Sequence, residues 1–478
     1  MSLSNTQLYK HVDKVVLLLA CLFVLLAPAD KKIWYDETVS VLCSKGISHS
    51  TPAAYSGVNT ISNKALEQYN NPAHVFDATV TDNSNSYLYN MALHYFTGIF
   101  GNGLNIYVLL SRLFSVLALI SFYLLGKKYI PSPFFRSAAI FFLLADPVFL
   151  GMSTEIRAYA AGIFFITLSA LYLSRFIDEN DSPRNLFFAM LFSVCAFLTH
   201  FLSVYVLLVY GLLLIVIKGK KLLSRQYILP ILVPAALLAL FFAFAMAGLS
   251  VMNKQNATIA EIQKTDFTYT SVFFNFAKFT ANNLKVVLPS FHPSNIIKLV
   301  SLLIVVAMGI SARKLAGDAL QRRHANTLLV LALSGSLFLT ALSIAAGHNT
   351  PFYNRYFSFA IPFNCLFVAY LLYLLFRQKS ALLKYGALAF FLLPVAVLFY
   401  KGIGQPGNLK YTHTDIAATI EEKNMTDVVV RESADALLIH SFLPNGYNLN
   451  YHIDPAATAF KAYNATESAT LPIVRIDN

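Results

Sequence analysis

The sequence predicts an all-α polytopic membrane protein with external juxtamembrane helices and a small α/β piece near its C-terminal end. Three observations carry that prediction. Of 478 residues, 57% are hydrophobic and 13% charged, whereas soluble domains average about 25% charged; the mean hydropathy is +0.58. Apolar stretches of membrane-crossing character recur along most of the chain. Between them, lysines and arginines gather in alternate short loops, as a fixed orientation in a membrane requires.

About eleven crossings are expected: Val15–Ala29, Leu104–Leu125, Phe134–Leu150, Tyr159–Phe176, Leu186–Leu198, Phe201–Ile217, Ile228–Ala247, Ile296–Ile310, Leu328–Ala346, Phe357–Phe376 and Tyr385–Tyr400. Lys10 and Lys14 precede the first without a convincing cleavage site, so it reads as a retained anchor. Several stretches fall short of the ~20 residues an upright helix needs, so less apolar residues must extend their ends. Lys127-Lys128 and Arg136, Arg175 and Arg184, Lys218 to Arg225, Arg313 to Arg323, and Arg377 to Lys384 occupy alternate loops. The positive-inside rule makes these loops cytoplasmic and starts the chain inside. The run Leu186–Ile217 tests the scheme, because as one helix it would span about 48 Å at ~1.5 Å per residue. One crossing would also put Lys218, Lys220 and Lys221 outside, so two short helices turning at Thr199-His200 are expected.

Residues 1–400 then form the transmembrane domain, with external pieces at 31–103 and 253–294, and 401–478 form a small external domain. In the first loop, Leu88–Phe100 has helical apolar spacing and reads as a helix lying on the membrane. In the tail, Thr414–Asn424 reads as a helix, while Asp427–Val430 and Leu471–Val474 read as strands, the second weakened by Pro472. Cys21, Cys195 and Cys365 lie in apolar segments and leave Cys43 without a partner, so no disulfide framework follows. The net charge of +12 is spread over loops without a basic domain, which excludes a nucleic-acid partner.

Ionisable groups near apolar segments are costly and mark function by default. On this topology Asp36, Glu37, Asp146, Glu155, Arg157, His200, His348, Arg355 and Tyr356 all lie near the outer face, and Arg112 lies in the outer half of the second crossing. Each has a plain structural reading. Asp36-Glu37 suits a solvated loop start, Arg355 suits snorkelling, His200 a helix turn, and Asp146 before Pro147 a helix end. Their joint placement on one face is harder to explain that way. Carboxylates can activate a hydroxyl or amine, and arginines can neutralise a phosphate as its charge grows. No P-loop or GxGxxG turn is present, so a phosphate-bearing substrate is expected to be lipid-linked rather than a nucleotide.

Several stretches resemble the GT-C superfamily of polytopic glycosyltransferases, in particular bacterial relatives of protein mannosyltransferases and aminoarabinose transferases (glycosyltransferase family 39-like). They are Trp34-Tyr35-Asp36-Glu37; Phe100-Gly101 with Leu109 to Ser115 and Tyr123 to Lys128; Met152 to Ala160, with its S-x-E-x-R-x-Y-A pattern; Leu198-Thr199-His200-Phe201; and Asn354-Arg355-Tyr356-Phe357 with Pro362. The likeness implies a GT-C fold and transfer of a sugar, hexosyl or pentosyl, from a polyprenyl-phosphate donor to a lipid, glycan or protein at the external face. It implies Asp36 as general base, with Glu37 orienting the acceptor or assisting, and Arg157 and Arg355 on the donor phosphate. Glu155, Tyr159, His200, Tyr356, Arg112 and Asp146 would line the site. No cofactor is certain; a divalent metal is left open, because family members differ. A bacterial inner membrane with the site facing the periplasm is implied. Where many relatives carry a His-Pro-Pro-like turn this chain has Asp82 to Tyr87, which leaves donor and acceptor identity open. The alternatives are a lipid or solute transporter, or a non-catalytic protein that binds polyprenyl lipid.

Overall fold

The computed structural model describes residues 5–26, 35–48, 60–81, 85–262, 295–346, 354–378, 412–430, 433–444, 447–456, 459–463 and 471–475, with isolated positions between 268 and 280 and between 380 and 386. In order the chain forms α1 (Asn5–Leu26), α2 (Tyr35–Ser44), β1 (Thr60–Ser62), α3 (Asn63–Glu67), α4 (Pro72–Thr81), α5 (Tyr87–Phe100) and α6 (Leu104–Tyr129). It continues with α7 (Pro133–Ala145), α8 (Pro147–Met152), α9 (Tyr159–Arg175), α10 (Pro183–Thr199), α11 (Val204–Lys218), α12 (Arg225–Ile262), α13 (Asn295–Leu315), α14 (Ala319–Ala346) and α15 (Ile361–Phe376). The tail holds α16 (Thr412–Glu422), β2 (Asp427–Val430), α17 (Ser433–His440), β3 (Asn450–Ile453), β4 (Ala459–Tyr463) and β5 (Leu471–Arg475).

Among the described residues, six helices are long and apolar enough to cross a membrane: Leu104–Tyr129, Tyr159–Glu179, Phe201–Leu223, Arg225–Ala243, Ala319–Ala345 and Arg355–Phe376. The chain is thus an integral membrane protein. Pro133–Ala145 and Pro183–Thr199 are apolar but shorter. The last expected crossing, 385–400, lies almost wholly outside the described residues, as does His348.

Two expected boundaries shift for identifiable reasons, and a third stands where expected. The stretch Phe134–Leu150 is not one helix: it breaks at Asp146. Pro147 has no N–H to give and disfavours helical backbone at the residue before it. Asp146 then caps the new helix, its Oδ1 accepting the N–H groups of Val148 (2.9 Å) and Phe149 (3.2 Å). The expected turn at His200 is present, with extended backbone there (φ −159°, ψ 115°) between α10 and α11. Helix α12 runs on to Ile262, into the region expected as an external loop from residue 253. Polarity after Gly248 signals exit from the apolar phase, but no proline follows to stop the helix.

Charges sort to the two ends of the bundle. Near the C-terminal end of α9, Asp178 pairs with Arg323 and with Lys128 (3.7 Å), and His324 lies 3.2 Å away. Lys218 pairs with Asp181 there. Arg157 precedes α9, whose 17 residues separate the two ends by about 25 Å at ~1.5 Å per residue. Between them helices meet through small residues and short polar bridges. Ser169 on α9 bonds Ser193 on α10 (2.8 Å), and the Tyr210 hydroxyl of α11 donates to the Ile166 carbonyl (3.0 Å).

A second apolar core lies at the Arg157 end. Val41 of α2, Tyr89 of α5, Tyr107 of α6 and Ile156 pack together with Ile416, Val428, Leu437 and Tyr451 of the tail. The five-stranded sheet has the order β1-β3-β2-β4-β5, with β2 and β3 parallel and the other pairs antiparallel. Its edge strand β1 comes from the first loop. Asn63 follows that strand and ties the two pieces: its N–H donates to the Leu449 carbonyl (2.8 Å), its Nδ2 to the Tyr447 carbonyl (2.8 Å), and its Oδ1 accepts the Tyr451 hydroxyl (3.2 Å). None of the four cysteines forms a disulfide.

Candidate active site

The pair Asp36-Glu37 opens α2, where carboxylates suit the positive end of the helix dipole. The helix closes at Gly46 (φ +74°), where any Cβ would stand 2.1 Å from the Tyr69 carbonyl oxygen. Only glycine fits that turn. From Glu37 to Ile47 almost every residue is buried, so this is a packed helix rather than a solvated loop start.

Three bonds latch α2 to the turn before α9. The buried Glu37 accepts the Ile156 N–H on Oε1 (2.7 Å), and Arg157 Nη1 donates to the Asp36 carbonyl (2.9 Å) and to Ser40 Oγ (3.2 Å). Arg355, in the helical turn Asn354–Ala360 that enters α15, reaches the same place. Asp36 Oδ2 lies 3.3 Å from the Arg355 guanidinium and 3.8 Å from that of Arg157. The Asp36 side chain is 30% exposed, against 26% for Arg355 and 13% for Arg157. The carboxylate is therefore both charge-paired and reachable. Arg355 also lies 5.7 Å over the ring of Tyr356.

His200 lies behind this group. Its ring faces Tyr159 (centroids 4.7 Å) and Phe359 (5.2 Å), and Tyr159 is itself buried. Nδ1 accepts the Leu202 N–H (3.3 Å), which puts the ring proton on Nε2. That nitrogen is buried without a hydrogen-bond partner among the described residues. Burial, reinforced by the charges of Arg157 and Arg355, holds the imidazole well below the usual histidine range. His200 is a neutral N–H donor beside the arginines. The carbonyl of Glu155 takes the Arg157 N–H (2.8 Å), so Glu155 belongs to the same turn.

The other expected site residues are engaged at helix ends. Arg112 donates to the Leu25 carbonyl at the end of α1 (3.1 Å), and Asp146 serves as the cap described above. Three contributors escape a reading of the sequence alone. Ser40 holds Arg157; its signal is the i+4 spacing from Asp36 on one helix face. Tyr89 is buried in the second core, with its hydroxyl on Ser111 (2.8 Å). Gly162 lets Phe359 approach α9, since a Cβ there would stand 2.5 Å from the ring. Among the described residues no three His, Cys, Asp or Glu side chains group to hold a metal ion.

Residues 84–247 match the family model described as dolichyl-phosphate-mannose-protein mannosyltransferase. Two solved structures of ArnT from Cupriavidus metallidurans are similar. The one bound to undecaprenyl phosphate has 13% identity and a TM-score of 0.36, and the apo form has 13% and 0.37. Each likeness covers 92% of this chain and 86% of the other. No curated protein matches the chain in sequence. The matched stretch holds the Arg112, Glu155-to-Arg157 and His200 motifs, and across it the chain resembles the GT-C superfamily of membrane glycosyltransferases.

Proposed function

We propose that this protein transfers a sugar from a polyprenyl-phosphate donor to a lipid, glycan or protein acceptor at the membrane face opposite its basic loops. The observation that carries the reading is the Asp36 carboxylate set between Arg157 and Arg355, which come from distant parts of the chain. In the reaction an acceptor hydroxyl or amine attacks the anomeric carbon, the bond from that carbon to the phosphate oxygen breaks, and polyprenyl phosphate departs with the electron pair. Asp36 takes the acceptor proton as its oxygen or nitrogen bonds to carbon. The guanidinium groups of Arg157 and Arg355 stabilise the charge that gathers on the leaving phosphate. Glu37 acts through position, since its bond to Ile156 sets the turn from which Arg157 projects. Neutral His200 offers a further N–H to the bound donor without adding a third positive charge. The bacterial inner membrane, with the site on the periplasmic side, fits the charge sorting of the loops.

The test uses purified protein in vesicles supplied with a panel of polyprenyl-phosphate sugars and candidate acceptors. The wild type is expected to release polyprenyl phosphate as sugar appears on acceptor. Arg355→Gln should raise the donor KM about 10- to 150-fold, as loss of a charged hydrogen bond worth ~1.5–3 kcal/mol implies. Passage of intact donor between leaflets without sugar release would contradict the reading and favour a transporter.

A further inference from the structure

A groove of about 450 Å³ lies at the basic end of the bundle, well away from Asp36. Val216 and Ile217 of α11 form one wall, and Arg322, Arg323, Asn326 and Val330 of α14 form the other. Its chemistry is graded. Arg322, Asn326 and Val330 fall at i, i+4 and i+8, a single stripe about 12 Å long at ~1.5 Å per residue. A guanidinium, a carboxamide and an alkyl group follow one another along it, and Val216, 80% exposed, flanks the stripe.

Only part of the positive charge there is consumed internally. Arg323 is fixed by its pair with Asp178. Asp318, the acidic residue beginning α14, accepts the Gln321 N–H on Oδ1 (2.7 Å). Arg322 is exposed and makes no ion pair among the described residues. Lys220 and Lys221 follow α11 close by and add to the field. A volume of this size falls in the range of small-ligand sites, about 300–1,000 Å³.

We infer that this groove binds an anionic phospholipid, with its phosphate on Arg322, its ester region along Asn326, and the start of an acyl chain on Val330 and Val216. The order of cation, polar group and alkyl surface along one stripe is the order of groups in such a lipid. A soluble phosphate would use Arg322 and leave the apolar wall without a role.

The test is native mass spectrometry of the full chain in detergent, titrated with phosphatidylglycerol or phosphatidylcholine. The wild type should retain one phosphatidylglycerol in preference to phosphatidylcholine. Arg322→Gln should weaken that binding about fivefold, the effect of one basic residue near an anionic surface, and Val216→Trp should weaken it by filling the groove. Both positions are exposed, so both variants should fold. Lys314→Gln, an exposed lysine at the same end that does not line the groove, should leave it unchanged. Equal weakening by Lys314→Gln would reduce the effect to diffuse attraction and overturn the proposal. Unchanged binding in the first two variants, or displacement of the lipid by millimolar inorganic phosphate, would also overturn it.

Discussion

Asp36 combines two properties: two guanidinium groups face it, and nearly a third of its side chain stays open. The first sets the carboxylate beside the positive charge proposed for the leaving phosphate; the second lets a substrate reach it. Asp146 has a different environment, bonded through Oδ1 to the first amides of α8. Asp146→Ala is expected to lower stability by about 1 kcal/mol, the usual value of an N-cap, with little change in turnover, as thermal unfolding and a transfer assay would show. Turnover collapse at unchanged stability would move Asp146 into the site. The sequence places Asp36, Arg157 and Arg355 on one face because charge alternation orders the loops. It does not distinguish Asp36 from Glu37 by burial, because that depends on Ile156 donating across 119 positions of chain. Arg112 shows the converse: its motif is legible, but its bond to the end of α1 is a tertiary fact.

At the scale of elements, α2 and the turn Asn354–Ala360 are what must be held in register, because they bring Asp36 and Arg355 together. The close approach of α9 to that turn rests on Gly162. Gly162→Ala should push Phe359 from its place against His200 and Tyr159, costing roughly 1–3 kcal/mol as overpacking does, and should lower transfer activity as Arg355 shifts. Unfolding midpoints and kinetics on one preparation would check both; an unaffected Tm would refute the packing argument. The break at His200 was legible because length and charge together forbade a single crossing. The break at Asp146 was only half legible, since apolar residues continue past Pro147 and hide the missing backbone donor. The strand β1 was not legible at all: three residues carry too little period-2 pattern, and their partner is nearly 400 residues away.

Over the whole molecule, the tail is docked on the same helix that carries Asp36. Lys45, just beyond α2, and His440, ending α17, are both buried in that junction. Burial pulls the Lys45 ammonium down to about 7 from 10.5, with Glu67 opposing in part, and pulls His440 down to about 3 from 6.5, with Lys45 adding to the effect. Both folded values are depressed, so the unfolded chain holds more protons in each window and stability falls with falling pH there. The windows run from about 10.5 to 7 for Lys45 and from 6.5 to 3 for His440. Lys45→Met should therefore raise stability at pH 7 by on the order of a few kcal/mol and flatten the upper window in Tm-against-pH profiles. A lower Tm at pH 7 would contradict this. The junction links the tail to the helix that carries the site, and the sorted charges at the two ends set that site apart from the basic loops.

In the proposed reaction Asp36 accepts the proton of the attacking group while two arginines hold the leaving phosphate. Single-turnover transfer by Asp36→Asn, at saturating polyprenyl-phosphate sugar and with donor binding measured in parallel, addresses it most directly. Asparagine keeps the size and removes the charge and the proton-accepting oxygen. Donor binding should persist while the transfer rate falls by about 10²–10⁴-fold, the usual contribution of a general base. Transfer at the wild-type rate with donor bound would contradict the account.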